Sequence, residues 1–258
     1  MVTLRINGKL VRAKEGEMLL PVLQREKIDI PSLCHHKAVE PYGGCRLCMV
    51  EITKQEWSGR QNMVTSCLYP AEDGLIIQTH TTALIELRRT ILDLYLARCP
   101  DTPEIQKLAA QYGVFQTSYE QVAKPDDCIL CGLCTRICDR MGFGAISAVN
   151  RGHKREIAPP LKNAPPDCVG CLACALNCPT KHIQYTDCGF TREIWGRKFE
   201  LLADKQTGRP TITREFADYL STHRDIPRDY FEQNDESHRK ETALILGKIA
   251  VWNREVPQ

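Results

Sequence analysis

The chain has 258 residues, with 34 Lys and Arg against 32 Asp and Glu and a formal net charge of +2. This balance argues against nucleic acid or an anionic membrane as the main partner, and the length allows one large domain or two to three small ones. The sequence shows no 18-residue apolar run and no leader of charged, apolar and small residues, so a cytoplasmic location without direct membrane insertion is expected.

From the N-terminus, Thr3 to Ile6 alternates apolar and polar side chains, Asn7-Gly8 marks a tight turn, and Leu10 to Ala13 returns beside the first strand. Glu17 to Glu26 places Met18, Leu19, Val22 and Leu23 at helical spacing, with Pro21 near the start of the helix. Cys34, Cys45, Cys48 and Cys67 follow, separated by 10, 2 and 18 residues. This is a long-loop [2Fe-2S] spacing, in which Gly43 and Gly44 let backbone N–H groups approach inorganic sulfide and a distant cysteine closes the site. His35 and His36 adjoin the first cysteine, and histidines so placed more often support a ligand than replace it. Thr82 to Arg98 and Glu104 to Tyr112 read as two helices of a packing connector.

Cys128, Cys131, Cys134 and Cys138 repeat, after 29 intervening residues, as Cys168, Cys171, Cys174 and Cys178. Each run has the Cys-x2-Cys-x2-Cys-x3-Cys form, whose fourth cysteine ligates the other cluster in two-cluster ferredoxins. The expected [4Fe-4S] sets are therefore crossed: Cys128, Cys131, Cys134 and Cys178 in one, and Cys168, Cys171, Cys174 and Cys138 in the other. Pro179 follows the last ligand as the bacterial pattern has it, whereas Asp139 stands in the corresponding place of the first run. Zinc and disulfides are the alternatives for such cysteines. A zinc ribbon needs only two per knuckle, and cysteines this close in a signal-free chain usually hold metal. Between the runs, Phe143 to Val149 reads as extended, Arg151-Gly152 as a turn, and Ile183 to Tyr185 as an antiparallel partner for the extended stretch. Gly142-Phe143-Gly144 lacks the third glycine of a dinucleotide loop, since Ser147 stands there.

The segment from Thr191 to Gln258 has no cysteine and carries twelve basic and twelve acidic residues. Phe216, Tyr219 and Leu220 suggest one amphipathic helix, and Leu244, Ile245, Ile249 and Trp252 another, separated by Ile226-Pro227-Arg228-Asp229. The tail reads as too sparsely apolar for a core of its own. It is expected to dock on a partner subunit through Trp195, Phe199, Phe216, Tyr219, Phe231 and Trp252, and truncation after Phe190 is then expected to leave the iron content nearly intact; the alternative is a tail that wraps over the two-cluster module as a shield, for which truncation speeds cluster loss in air and spares partner binding.

Cys34-His35-His36, Gly44-Cys45-Arg46-Leu47-Cys48-Met49-Val50-Glu51 and Ser66-Cys67, together with the duplicated run, resemble the diaphorase iron-sulfur (gamma-type) subunit of NAD(P)-linked nickel-iron hydrogenases. The same pattern resembles the N-terminal iron-sulfur region of the complex I large (75 kDa-type) subunit and of iron-only hydrogenases. The resemblance covers Met1 to about His80 and Cys128 to Cys178. It implies an α+β chain: a β-grasp [2Fe-2S] ferredoxin domain at 1–80, a helical connector at 81–122, a bacterial-type 2[4Fe-4S] ferredoxin domain at 123–190, and a C-terminal extension at 191–258. Those relatives carry a further His-x3-Cys-x2-Cys-x5-Cys cluster site in the connector. Only Cys99 stands there in this chain, so that cluster is expected to be absent, leaving Cys99 and Cys188 as free thiols.

The expected cofactors are one [2Fe-2S] and two [4Fe-4S] clusters, with no catalytic residue in the chain. The implied role is to relay single electrons between a flavoprotein NAD(P)-binding diaphorase subunit and a hydrogenase catalytic module, including electron-bifurcating complexes. The alternative terminal enzyme is a formate dehydrogenase. A free-standing iron-sulfur enzyme such as a dehydratase is a different class of function, and complete four-thiolate ligation argues against it. A zinc scaffold would be told apart by colour.

Overall fold

The computed structural model describes residues 1–121, 126–233 and 235–252, with side chains described through residue 246. The first residues of the 4Fe-4S region, 123–125, and the side chains of Ile249 and Trp252 lie outside what is described. Contacts divide the chain into two compact units. One comprises 1–142, 146–158 and 174–183, and the other 143–145, 159–173 and 184–258.

In the first unit, β1 (Val2–Ile6) alternates buried and exposed side chains and pairs antiparallel with β2 (Lys9–Ala13). The turn between them uses positive φ at Asn7 (48°) and Gly8 (87°), the geometry that matches strand twist in a two-residue hairpin. β3 (Met49–Thr53), β4 (Asn62–Thr65) and β5 (Ile76–Gln78) complete a five-stranded sheet in the order β2-β1-β5-β3-β4, with β5 parallel to β1. α1 (Leu19–Arg25) buries Leu19, Leu20, Val22 and Leu23 in the same core as Leu4, Ile6, Val50, Ile52, Leu75 and Ile77. This helix-on-mixed-sheet arrangement is the β-grasp.

The connector helices form as read. α2 (Thr82–Arg98) is capped by Thr81, whose hydroxyl accepts from the Leu84 N–H at 3.3 Å, and α3 (Pro103–Gln111) begins with proline, which needs no donor there. α4 (Leu133–Met141) carries the end of the first cysteine run and stops at Gly142, φ 94°, the left-handed residue that closes many helices. Gly142 therefore serves as a helix stop.

The expected pairing of the 143–149 stretch with Ile183–Tyr185 is not what forms. β6 (Ser147–Val149) pairs instead with β7 (Glu156–Ala158), because Asn150 at φ 60° and Gly152 at φ 60° turn the chain straight back on itself. α5 (Ala173–Leu176) is a single short turn within the second run.

The second unit corrects the expectation of a coreless tail. β8 (Tyr185–Cys188), β9 (Thr191–Ile194), β10 (Arg197–Ala203) and β11 (Pro210–Thr213) make a four-stranded antiparallel sheet, ordered β11-β10-β9-β8. Ile194, Phe199 and Leu201 lie on its buried face, covered by α6 (Arg214–Arg224) through Ala217 and by Phe231 of a 3-10 turn. Phe199 and Phe231 are thus core residues and not the interface anchors their type suggested. α6 is capped by Thr213 and packs Phe216 and Tyr219 edge-on against Phe143. α7 (Asp235–Trp252) follows. Among the described residues, no helix is long and apolar enough to cross a membrane.

Candidate iron-sulfur centres

Cys34, Cys45, Cys48 and Cys67 are all buried, on two loops at one end of the β-grasp sheet. The Cys45 N–H donates to the Cys34 sulfur at 3.4 Å, and the Cys48 and Cys67 sulfurs share a hydrogen bond of 3.5 Å. The four thiols thus stand as two pairs. Within each pair the shared proton raises one thiol, Cys34 or Cys67, and lowers its partner, Cys45 or Cys48. Cys67 also lies in the electrostatic field of the other three. Gly44 is required for close packing, since a Cβ there would stand 2.5 Å from the Tyr42 ring. Ser66 donates to the Cys48 carbonyl at 2.7 Å and ties the distant Cys67 segment to the Cys45–Cys48 loop.

Arg88 of α2 is completely buried and clamps this loop. Its guanidinium donates to the carbonyls of Leu47 (3.1 Å), Met49 (2.8 Å) and Thr79 (3.0 Å). Burial pushes this guanidinium down from its ordinary range. Sequence reasoning missed it. The only available signal was an arginine on the apolar stripe of α2, one helical turn from Leu84 and Leu92.

Of the first [4Fe-4S] set, Cys128, Cys131 and Cys134 are buried, and Cys178 belongs to the same unit. Cys178 lies in the field of both Cys128 and Cys131, so the structure brings the last cysteine of the second run to the first run. Burial raises the thiols of Cys128, Cys131 (to about 11) and Cys134. The fields of Arg98 at Cys128 and of Arg136 at Cys131 act in the opposite direction and favour the thiolate. Arg98 at the end of α2 donates to the Cys128 carbonyl at 2.6 Å, and the Asp126 carboxylate accepts from the Cys128 N–H at 2.8 Å.

The second set divides between the units, with Cys138 and Cys174 in the first and Cys168 and Cys171 in the second. In the second unit the loop of Cys168 is held by the C-terminal sheet. Arg197 donates to the carbonyls of Cys168 (2.7 Å), Pro165 (3.2 Å) and Pro166. Arg192, itself paired with Asp187, donates to the Gly170 carbonyl at 3.1 Å, and the Thr213 hydroxyl donates to the Val169 carbonyl at 2.5 Å. Gly170 sits at φ 68°, where a Cβ would lie 2.9 Å from Phe199 and Thr213. Gly170→Ala is accordingly expected to destabilise this unit by about 2–4 kcal/mol, backbone strain plus overpacking. Gly189→Ala, at φ 56° with open space around it, is expected to cost only the backbone part. Anaerobic denaturant unfolding of both variants checks the difference.

Arg136 joins the β-grasp loop to the first [4Fe-4S] run inside one unit. It lies on α4 between Cys134 and Cys138, donates to the carbonyls of Cys34 (2.6 Å) and Glu40 (2.8 Å), and stacks over Tyr42 at 5.0 Å. Tyr95 of α2 lies in the field of Cys45, Cys34 and Cys131 together. The remaining candidates are placed more simply. Cys99 is a buried thiol pushed up to about 12 by burial, and Cys188 is exposed at the end of β8. His36 accepts from the Ala38 N–H at 3.2 Å within its own turn, and burial lowers the His35 imidazole. Among the described residues, no three Cys, His, Asp or Glu side chains are arranged to hold a single metal ion.

Comparison with known proteins matches residues 1–82 to a 2Fe-2S iron-sulfur cluster binding domain and residues 127–182 to a 4Fe-4S dicluster domain. The chain thus carries a 2Fe-2S cluster-binding domain and a 4Fe-4S dicluster domain. It is related to subunits of NAD(P)-linked hydrogenases and of complex I-like oxidoreductases. It is 29% identical to the NADP-reducing hydrogenase subunit HndD of Solidesulfovibrio fructosivorans, over 70% of this chain and 35% of that protein. It is 30% identical to the NADPH-Fe(3+) oxidoreductase subunit alpha of Geobacter sulfurreducens, over 70% of this chain and 24% of that protein. The 78 kDa subunit of mitochondrial NADH-ubiquinone oxidoreductase from Neurospora crassa aligns with 99% of this chain at 24% identity, over 37% of its own length. Among solved structures, an NAD+-reducing [NiFe]-hydrogenase in the H2-reduced state superposes with a TM-score of 0.54 at 26% identity, covering 61% of this chain and 74% of that one. The chain thus spans about a quarter to somewhat over a third of the length of these curated relatives.

Proposed function

We propose that the chain is a relay for single electrons between a flavoprotein NAD(P)-binding subunit and the catalytic subunits of a hydrogenase, working in the cytoplasm. Cys34, Cys45, Cys48 and Cys67 hold one [2Fe-2S] cluster, one thiol pair to each iron. Cys128, Cys131, Cys134 and Cys178 hold one [4Fe-4S] cluster, and Cys168, Cys171, Cys174 and Cys138 hold the second. The domains run 1–80, 81–122 and 123–190, with the remainder from 191 to 258 as an extension. The observation that carries the relay is Arg136, which ties the carbonyl of a [2Fe-2S] ligand to the helix bearing Cys134 and Cys138.

When bound, the clusters supply one-electron chemistry, with potentials set by charge, burial and hydrogen bonds. The chain's residues hold the thiols, bury them and fix the loops. Anaerobically prepared protein is expected to be brown and to contain about 10 irons per chain, from one two-iron and two four-iron centres. A value near 14 would place a further cluster at the connector, and zinc in place of iron would end the assignment.

The purified chain is expected not to oxidise hydrogen, formate or NADH by itself. Affinity capture under anaerobic conditions identifies the terminal enzyme. Co-purification of a flavoprotein and hydrogenase subunits supports the relay as proposed, whereas formate dehydrogenase subunits would replace the terminal enzyme. Turnover by the isolated chain would overturn the relay.

A further inference from the structure

Among the described residues, Arg88 is the largest that is completely sealed from solvent, with 0% exposure. A buried guanidinium is costly unless charge and hydrogen bonds compensate it. Here three backbone carbonyls and the Tyr112 hydroxyl take its donors, and among the described residues no carboxylate forms an ion pair with it. Asp29 contributes only through its field. Two of the three carbonyls belong to Leu47 and Met49, the neighbours of Cys48, and Cys48 itself lies in the field of Arg88. Cys48 at the thiolate site is thus a source of compensating negative charge, ahead of Asp29.

We infer that Arg88 is the fixed counter-charge of the [2Fe-2S] site and holds its reduction potential up. This role presupposes that Cys34, Cys45, Cys48 and Cys67 hold that cluster. A cluster with four thiolates is anionic, and reduction adds one further negative charge without any other change in composition. A desolvated cation beside it stabilises the reduced form more than the oxidised form. Removing the cation thus lowers the potential. Three carbonyl dipoles aimed at the guanidinium keep the cation in place, so its charge cannot swing away to solvent. Tyr112 and Thr79 complete the cage from α3 and from the end of β5.

The test uses the full-length chain, reconstituted anaerobically, in three forms: wild type, Arg88→Met and Arg88→Lys. Iron content and the two-iron absorption and EPR spectra are recorded first. A wild-type chain without a two-iron spectrum sinks the cluster assignment, whatever Arg88 does. With that spectrum present, redox titration is expected to show Arg88→Met shifted toward the oxidised cluster about tenfold in the one-electron equilibrium, which is about 59 mV lower. Arg88→Lys keeps the charge but loses the fork, and its potential is expected to stay near that of the wild type. Equal lowering in both variants would show that the carbonyl clamp and not the charge sets the potential, and would overturn the inference. An unshifted Arg88→Met would do the same. Where Arg88→Met fails to load iron, Arg88→Lys decides alone: an unchanged potential supports the counter-charge, and a drop as large as about 59 mV refutes it.

Discussion

Truncation after Phe190 is expected to cost the chain about four irons, taking it from about 10 to about 6, while the two-iron spectrum stays intact. Composition suggested the opposite, because the tail has no cysteine. In the structure this segment without ligands holds a cysteine loop of the second run. The loop of Cys168 is fixed by Arg197, Arg192 and Thr213, which contact the carbonyls of Cys168, Gly170 and Val169 respectively. Phe199 packs on Gly170. All four of these tail residues lie beyond Phe190. Each hydrogen bond is worth about 1 kcal/mol net, and burying the Phe199 ring adds about 2–3 kcal/mol, so the loop loses most of what orders it. Iron determination on the truncated chain, beside its EPR spectrum, measures the outcome. An iron content still near 10 would show that the cysteines order the loop unaided. A smaller version is Arg197→Ala, which removes the contacts at Pro165, Pro166 and Cys168 together; faster iron release to a chelator is expected, with the two-iron centre unaffected.

The contrast between the two halves of the chain shows which features a sequence displays. The β-grasp half was legible because its signals are local: an Asn-Gly turn, strict alternation over Val2–Ile6, and a helix with four apolar residues on one face. Cysteine spacing is equally local, since it follows from how far a loop must reach around a cluster. The C-terminal sheet was not read, although its alternation is there. Ile194, Phe199 and Leu201 are buried on one face, and Trp195-Gly196 turns at φ 56° and 72° between them. A tryptophan in the left-handed region is an unusual turn residue, so the hairpin gave no standard mark. Arg192 hid the pattern further, being a charged side chain at a buried strand position that is legible only once Asp187 faces it across the sheet. Arg88 was obscured in the same way. Its partners are carbonyls 39 and 41 residues away along the chain and one 9 residues away, and backbone acceptors leave no trace in composition.

The crossed ligand sets give the second large effect, and pairs of substitutions resolve it where single ones do not. Any one of Cys128→Ser, Cys178→Ser, Cys168→Ser or Cys138→Ser is expected to remove about four irons, because a cubane with three thiolates and a weak fourth donor is lost on purification. The singles alone therefore do not say which residues share a cluster. Residues that act on one unit are non-additive when combined, and residues in separate units add. Cys128→Ser with Cys178→Ser is expected to leave about 6 irons, no fewer than either change alone. Cys168→Ser with Cys178→Ser is expected to leave about 2, since the two cysteines of one run serve different clusters. Uncrossed runs predict the reverse order. The field that Cys178 exerts at Cys128 and Cys131 favours the crossed outcome, because it puts this thiol among the first run's sulfurs although 39 residues or more separate it from them in sequence. The same doubles check the [2Fe-2S] site, since both must keep the two-iron spectrum that belongs to Cys34, Cys45, Cys48 and Cys67. Loss of that spectrum in either double would mean that the centres fold as one cooperative body, with the β-grasp domain relying on the four-iron centres for its own order.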